Sequence, residues 1–352
     1  MKKVLAFLLA SSMLMMMGGC SSSDSGSTGS TDTAGTTTPS TSTPDTTTGG
    51  DTSDYPNKPV EVTVQWGAGG GADLVYRALA EVFPTYANGQ PLVVNNVEGA
   101  SGVTGSTEFM TSASPDGYQF IHINTAHLTK IHMSEVPYDA TTFVPVAEVA
   151  EIANYLLVQA DAPWQTLDEL IADAKANPGS ITLGNAGIGG GNHIGSLLFE
   201  QAAEVEFAHI AYSGGGNAVT GILSGEVDLI MANAPEGLTN VESGQLRILA
   251  NFGSERFARF PDLPTAQEDG FDLVIDQWRG VAVPAGTPDE IIAKLNDILK
   301  QCIEDPTYIE MMTALDARPA YKDTADFTAF VTEEDARFQE LIQSNGLGDR
   351  YT

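Results

Sequence analysis

The chain has 352 residues and a formal net charge of −30, from 46 acidic against 16 basic side chains. That length holds one large α/β domain or two of ordinary size, with ample material for a core. The charge excludes the basic footprint that nucleic acid requires and disfavours docking on anionic lipid; taken alone it suggests a cationic ligand.

Residues 1–19 lie outside any fold. Lys2 and Lys3 form a positive start, and Val4 to Met17 is mostly apolar but too short to span a bilayer comfortably. Met17-Gly18-Gly19-Cys20 then resembles a bacterial lipoprotein signal. That resemblance implies cleavage before Cys20, a diacylglyceryl group on its sulfur, and a protein anchored by lipid to the outside of a cell membrane. Residues 20–54 continue, after Cys20, almost entirely as Ser, Thr, Gly, Asp and Pro. Such a stretch buries too little surface to offset its ordering entropy and reads as a tether with a reach of roughly 30 Å. With Cys20 assigned to lipid, Cys302 has no disulfide partner. It sits on an apolar stripe at helical spacing and reads as a small buried hydrophobe. Nothing from 55 to 352 is apolar enough to cross a membrane, so a transport role needs separate membrane subunits.

The body alternates strand and helix patterns, which predicts α/β architecture with largely parallel sheets. Strands are expected at 60–64, 92–94 and 118–123, with helices at 72–83, stopped by Pro84, and at 103–110. A second set starts near Asn154. Thr166-x-x-Glu169 is a capping box opening a helix that stops at Asn177-Pro178-Gly179. Strands follow at 181–183, 207–211 and 227–231, alternating with helices at 193–203 and 218–223. Trp278-Arg279-Gly280-Val281-Ala282-Val283 reads as a crossing strand, with Trp278 as packing. Thr287-Pro288-x-Glu290 predicts a helix with Thr287 as N-cap and Pro288 in the first position. A last helix is expected over 325–344.

Glycine marks four strand-to-helix junctions: Gly67-Ala68-Gly69-Gly70-Gly71, Gly99-Ala100-Ser101-Gly102, Gly187-Ile188-Gly189-Gly190-Gly191 and Gly214-Gly215-Gly216. In an open α/β sheet ligands bind beyond the carboxyl ends of the strands. Helix N-termini there offer unpaired N–H donors and partial positive charge, which favours an anion. Two junctions in each half predict two lobes with four loops around one cleft. Asp73 and Arg77, four apart on a helix, predict a structural ion pair. Tyr212 either lines the cleft or anchors its loop.

Competing motifs are weaker. Gly67-x-Gly69-x-x-Ala72 satisfies the dinucleotide pattern, but the chain is exported and its second half carries comparable loops. His127 and His132 are five apart, which does not put them on one helical face as zinc ligands. No G-x-S-x-G elbow occurs, and no acid–base carboxylate pair stands out. No cofactor, metal or catalytic residue is expected.

A set of motifs in chain order carries a family resemblance: Tyr55-Pro56-Asn57-Lys58-Pro59-Val60, Gly69 to Asp73, Asn95-Asn96-x-x-Gly99 to Gly102, Ser114-Pro115-Asp116-Gly117-Tyr118, Pro137-Tyr138-Asp139, Tyr212 to Ala218, Gly225-Glu226-Val227-Asp228-Leu229, Pro261 to Thr265 and Pro284 to Pro288. Together they resemble the substrate-binding proteins of tripartite tricarboxylate transporters, the Bug family. The resemblance implies a two-lobed periplasmic-binding-protein fold of type II, with domain I at 55–153 plus 279–352 and domain II at 154–278. It implies a small carboxylate ligand held by Gly69, Gly70, Gly71, Ala72 and Asp73 and by Ala100, Ser101 and Gly102, partly through ordered water. Asn185, Gly189, His193, Tyr212, Gly215, Asn217 and Ala232 would close over it. A monomer would deliver the ligand to a large and a small membrane permease subunit in ion-gradient-driven uptake, without enzymatic chemistry. Where the family often has Phe-Pro-Pro, Trp66-Gly67-Ala68 stands here. Where the family's second-lobe strand often ends in Asp, Ala232 and Asn233 stand, which favours a plain tricarboxylate, dicarboxylate or aromatic acid over an amino acid. Receptors of other uptake systems and an exported enzyme are the alternative readings.

Overall fold

A computed structural model of the chain describes residues 54–348. The signal, Cys20 and nearly all of the tether therefore lie outside the described residues.

The first sheet grows from β1 (Val60–Val64), where Val60, Val62 and Val64 are buried and Glu61 faces out, the period of a strand with one exposed face. Helix α1 (Gly71–Tyr86) follows and lays Val75, Leu79, Val82 and Phe83 against the core. That is the 3.6-residue stripe of an amphipathic helix. It runs on through Pro84, contrary to expectation. Proline removes a single bond there, to the carbonyl of Ala80, and Ala87 N–H closes the end on Phe83 (3.0 Å). Then come β2 (Leu92–Asn96), α2 (Val103–Ser112) and β3 (Gln119–Ile123). β1 lies between β2 and β3, parallel to both.

Helix α3 (Thr125–Met133), capped by Asn124 on the His127 N–H, leads to β4 (Phe143–Gln159). At 17 residues, β4 far exceeds the usual strand of about 5–6 residues. After α4 (Leu167–Ala176), the second half repeats the first: β5 (Thr182–Asn185), α5 (Gly191–Ala203), β6 (Ala208–Ala211), α6 (Gly215–Ser224) and β7 (Leu229–Asn233), with β5 between β6 and β7 and parallel to both. The capping box forms as expected at Glu169 N–H to Thr166 Oγ1 (3.2 Å), while the Glu169 carboxylate reaches the N–H of Gln165 (2.6 Å).

Helix α7 (Leu238–Glu242), β8 (Leu246–Asn251) and β9 (Asp276–Pro284) come next. β4 pairs with β9 from Phe143 to Ala153, then changes partner and pairs with β7 from Asn154 to Val158. The strand order β2-β1-β3-β9-β4-β7-β5-β6 thus contains the same three-strand arrangement twice, joined through β4 and β9.

The chain ends with α8 (Asp289–Ile303), α9 (Pro306–Ala314), β10 (Arg318–Lys322) and α10 (Thr324–Ser344). Thr287 is not the cap of α8: its hydroxyl donates back to Pro284 O (2.8 Å), and the first helical bonds go to Pro288 O. Cys302 is buried on the inner stripe of α8, and burial pushes its thiol up to about 12, so it is inert. Trp278 packs edge-on against Phe327 and Phe330 of α10, the packing role expected of it.

Candidate functional site

The same turn is built twice, 120 positions apart. In the first half Gly69 adopts φ +80° and Gly70 caps α1 at φ −75°, ψ 164°. In the second, Gly189 adopts φ +74° and Gly190 caps α5 at φ −73°, ψ 167°. Positive φ is why glycine stands at Gly69 and Gly189. In each turn that glycine's N–H donates to the side chain four residues on: to Asp73 Oδ2 (2.8 Å) and to His193 Nδ1 (3.1 Å). Gly69 and Gly189 therefore spend their donors within the loop. Gly70 likewise donates to Gly67 O (3.2 Å). The donors left for a ligand are the first N–H groups of α1, at Gly71, Ala72 and Asp73, ahead of the first helical bond from Leu74 to Gly70 O.

Asp73 is buried and bonded to Arg77 Nε (2.8 Å), the expected pair. Burial alone would raise its pKa; Arg77 and the Gly69 N–H outweigh that and hold the carboxyl below its ordinary range. Arg77 is half exposed. Arg77→Ala is expected to lower stability by about 1 kcal/mol and to leave ligand affinity within roughly threefold, since no donor of the turn is lost. Thermal denaturation with a ligand titration checks both, and a variant that folds normally yet binds nothing would refute the assignment.

His193 must be neutral to accept from Gly189, and burial pushes its pKa down to about 4. Asn185 is committed to its neighbours: it donates to His209 Nδ1 (2.8 Å) and accepts from Ser196 Oγ (2.6 Å). These two residues set the loop rather than project from it. Tyr212 packs its ring between Gly184 and Gly221, where added Cβ atoms would fall 3.0 and 2.5 Å from ring atoms; this is the anchoring arrangement. Asn217 is exposed and bonds Ser213 Oγ (2.7 Å), and Ala232 is buried within β7.

The third turn is strained. Ala100 and Ser101 have φ +47° and +53°, followed by Gly102 at +95°. Consecutive left-handed residues other than glycine are costly and concentrate at ligand clamps. Gly102 caps α2, and it lines a narrow recess with Trp66, Ser101, Asn124, His127 and Tyr138. That recess lies beyond the carboxyl ends of β1 and β3, where the chain's winding about β1 reverses, the place where such sheets bind ligands. The halves meet there: a Cβ on Gly187 would lie 3.7 Å from Ser101 Oγ, and one on Gly71 3.4 Å from Ala234 O. From α3, Lys130 Nζ donates to Ile188 O (3.0 Å) and Thr129 Oγ1 to Gly189 O.

Between the turns lies a polar cluster that sequence reasoning missed. Gln277 of β9 donates to Asn154 Oδ1 (2.7 Å) and Asn192 Oδ1 (2.6 Å). Asn192 reaches Glu236 Oε2 (3.3 Å), and Arg279 reaches Gln277 Oε1 (3.3 Å). Arg279 is 4 % exposed and its Nε has no partner. Burial lowers its pKa to about 10. The available signal was Gln277-Trp278-Arg279, polar residues two apart on one face of an apolar strand.

A larger cavity of about 250 Å³ lies elsewhere, lined by Glu151, Ser254, Phe257, Asp276 and Arg318 among others. It touches none of the glycine turns, and its Arg318 is already paired with Glu151 and Asp276. Among the described residues no helix is long and apolar enough to cross a membrane.

A family model described as the tripartite tricarboxylate transporter family receptor matches residues 75–347. The chain is 32% identical to a UPF0065 protein from the gbd 5' region of Cupriavidus necator, over 83% of this chain and 89% of that one. It is 30% identical to the protein BugT of Bordetella pertussis, over 83% and 90%. Among solved structures it is similar to the periplasmic binding protein BugD (TM-score 0.73, 30% identity, 84% of this chain and 99% of that one). MatC of Rhodopseudomonas palustris, with bound malate, gives 0.71 at 26% identity over 82% and 100%. An R. palustris protein with adipate gives 0.75 at 27% over 84% and 99%. The chain belongs to the tripartite tricarboxylate transporter receptor family, the Bug proteins. Its fold is the two-lobed periplasmic-binding-protein fold of type II, and the family's members are solute-binding receptors.

Proposed function

We propose that this protein is an extracytoplasmic solute-binding lipoprotein, held to the membrane through Cys20, that captures a small carboxylate and hands it to the large and small permease subunits of a secondary transporter. The observation that carries the reading is the pair of glycine-led helix N-termini in the first half: α1, with free N–H groups at Gly71, Ala72 and Asp73, and α2, behind the strained Ala100–Gly102 turn, both beyond the carboxyl ends of parallel strands. Such donors bind an anion without a surface cation. Relatives solved with malate and adipate support the same class.

In this reading the lobes are 55–153 plus 279–352 and 154–278, and motion between them is absorbed where β4 exchanges β9 for β7. The first lobe takes the carboxylate on α1 and α2, and the second closes with the 187–191 and 214–216 turns. Gly69 and Gly189 shape their turns, while Gly71, Ala72, Asp73 and Gly102 supply contacts.

A thermal-shift screen against a carboxylate panel tests this, because a ligand that binds only the folded state raises apparent stability. Gly102→Val is the matching variant. An added Cβ meets ordinary contacts at 3.5 Å, so crowding is mild, but φ +95° is barred to valine. The turn must shift, and affinity for the best panel member is expected to fall by roughly tenfold or more, in a protein that still unfolds cooperatively. A panel without a single hit, or unchanged affinity in the variant, would refute the reading.

A further inference from the structure

The second lobe carries an acid of its own at the crevice. Glu236 lies in the turn after β7, with its N–H on Asn233 O (2.8 Å). In this sheet β5 lies between β6 and β7, so the crevice opens between the ends of β5 and β7, where Glu236 stands. Its carboxylate rests on Gly215, the first residue of α6: a Cβ there would come within 1.9 Å of Glu236 Cδ. Oε2 accepts two long bonds, from the Asn233 N–H and from Asn192 in the first turn of α5 (both 3.3 Å). The residue is partly exposed, and open space surrounds Gly214 and Gly216 beside it.

No lysine or arginine among the described residues forms an ion pair with Glu236. The charge it interacts with is Arg279, whose nitrogens are turned to Gln277 Oε1 and Trp278 O, and whose Nε is unpartnered. Arg279 favours the charged form of Glu236 but makes no hydrogen bond or ion pair with it. The Glu236 carboxylate stands against the first residue of α6 and bonds the Asn192 side chain in the first turn of α5, so a resident negative charge sits beside both helix starts. They therefore do not favour a second anionic group of a ligand, and Glu236 repels one.

Resting on the carboxylate-receptor reading above, we propose that Glu236 makes the cleft selective for a carboxylate that also bears an ammonium group, with the carboxylate on the first lobe's helix ends and the ammonium on Glu236. The acid absent at Ala232 is supplied four residues later, from the turn instead of the strand. This favours amino acids over the plain acids to which the sequence pointed.

Matched pairs test it: succinate with L-aspartate, glutarate with L-glutamate, 3-phenylpropionate with L-phenylalanine, each titrated into the full chain by calorimetry. In the pairs that bind, the amino member is expected to be tighter by roughly tenfold or more, and Glu236→Gln to erase that margin while plain-acid affinity holds or rises. Glu236→Asp, which keeps the charge, should retain the preference. If plain acids bind the parent protein as tightly as their amino partners, or the preference survives Glu236→Gln, the proposal is overturned and the carboxylate reading stands. If no carboxylate in the pairs or the panel binds, both fall. The comparison on the parent protein decides the matter even if a variant does not fold.

Discussion

Replacing Lys322 by methionine is expected to lower the unfolding free energy by about 3–5 kcal/mol. Lys322 of β10 stands beside Glu148 of β4, which is fully buried, and bonds its Oε2. The other oxygen, Oε1, has no partner. Burial drives the Glu148 pKa up, and Lys322 pulls it back. Without the ammonium the carboxyl loses its hydrogen-bonded partner and keeps only the more remote charge of Arg318, so it must bury a poorly compensated charge or bind a proton. Glu148→Gln in the same chain should recover most of the loss, because a neutral amide carries no such penalty. Urea midpoints for the parent, the single variant and the double variant measure this. Equal midpoints for the parent and Lys322→Met would refute it.

His127 sets a second large effect, in pH. Its ring stacks on Tyr138 at 4.8 Å, contacts Phe143, and leaves Nδ1 without a partner. Burial lowers its pKa from 6.5 to about 4. The unfolded chain therefore takes up a proton below about pH 6.5 that the folded chain refuses until about pH 4. Stability from this group is complete above that interval and drains away across it. By about pH 5 the loss is ~2 kcal/mol relative to neutral pH. Glu148, Glu236, Asp276 and Asp316, held above their ordinary range, respond in the opposite sense. The clean measurement is consequently a difference. A His127→Phe chain, which keeps the stacking, should show a pH profile flatter than the parent's by that amount. Parallel profiles would show that His127 is not the source.

The parts of the fold that were legible in the sequence are those with a local physical cause. Val60, Val62 and Val64 alternate because one face of β1 is exposed, and the glycines at 69 and 189 stand where the backbone requires positive φ. Helix α3 was not legible because nearly all of it is buried, so Thr125 to Met133 has no polar face to set a period. Strand β4 hid for the same reason: it is enclosed on both sides for most of its length, and Pro145, Glu148 and Glu151 interrupt its apolar run. The glycine junctions between strands and helices, and the family's motif order, pointed to the turns of the candidate site. They did not find Asn154, Asn192, Glu236, Gln277 and Arg279, because each is an ordinary polar residue in its own segment. Only the pairing of β4 with β7 and β9 brings them together.

The twin turns at 67–73 and 187–193 share a backbone but not a charge. One satisfies its glycine N–H with the carboxylate of Asp73, the other with the neutral ring of His193. Duplicated geometry has therefore produced two turns of unlike electrostatic character, one built on a fixed acid and its arginine, the other on a neutral imidazole. A ligand whose two ends are chemically identical would still meet two different receptions. For a ligand whose two ends differ, turning it end for end would change its energy, so under the proposed reading the cleft would favour one orientation.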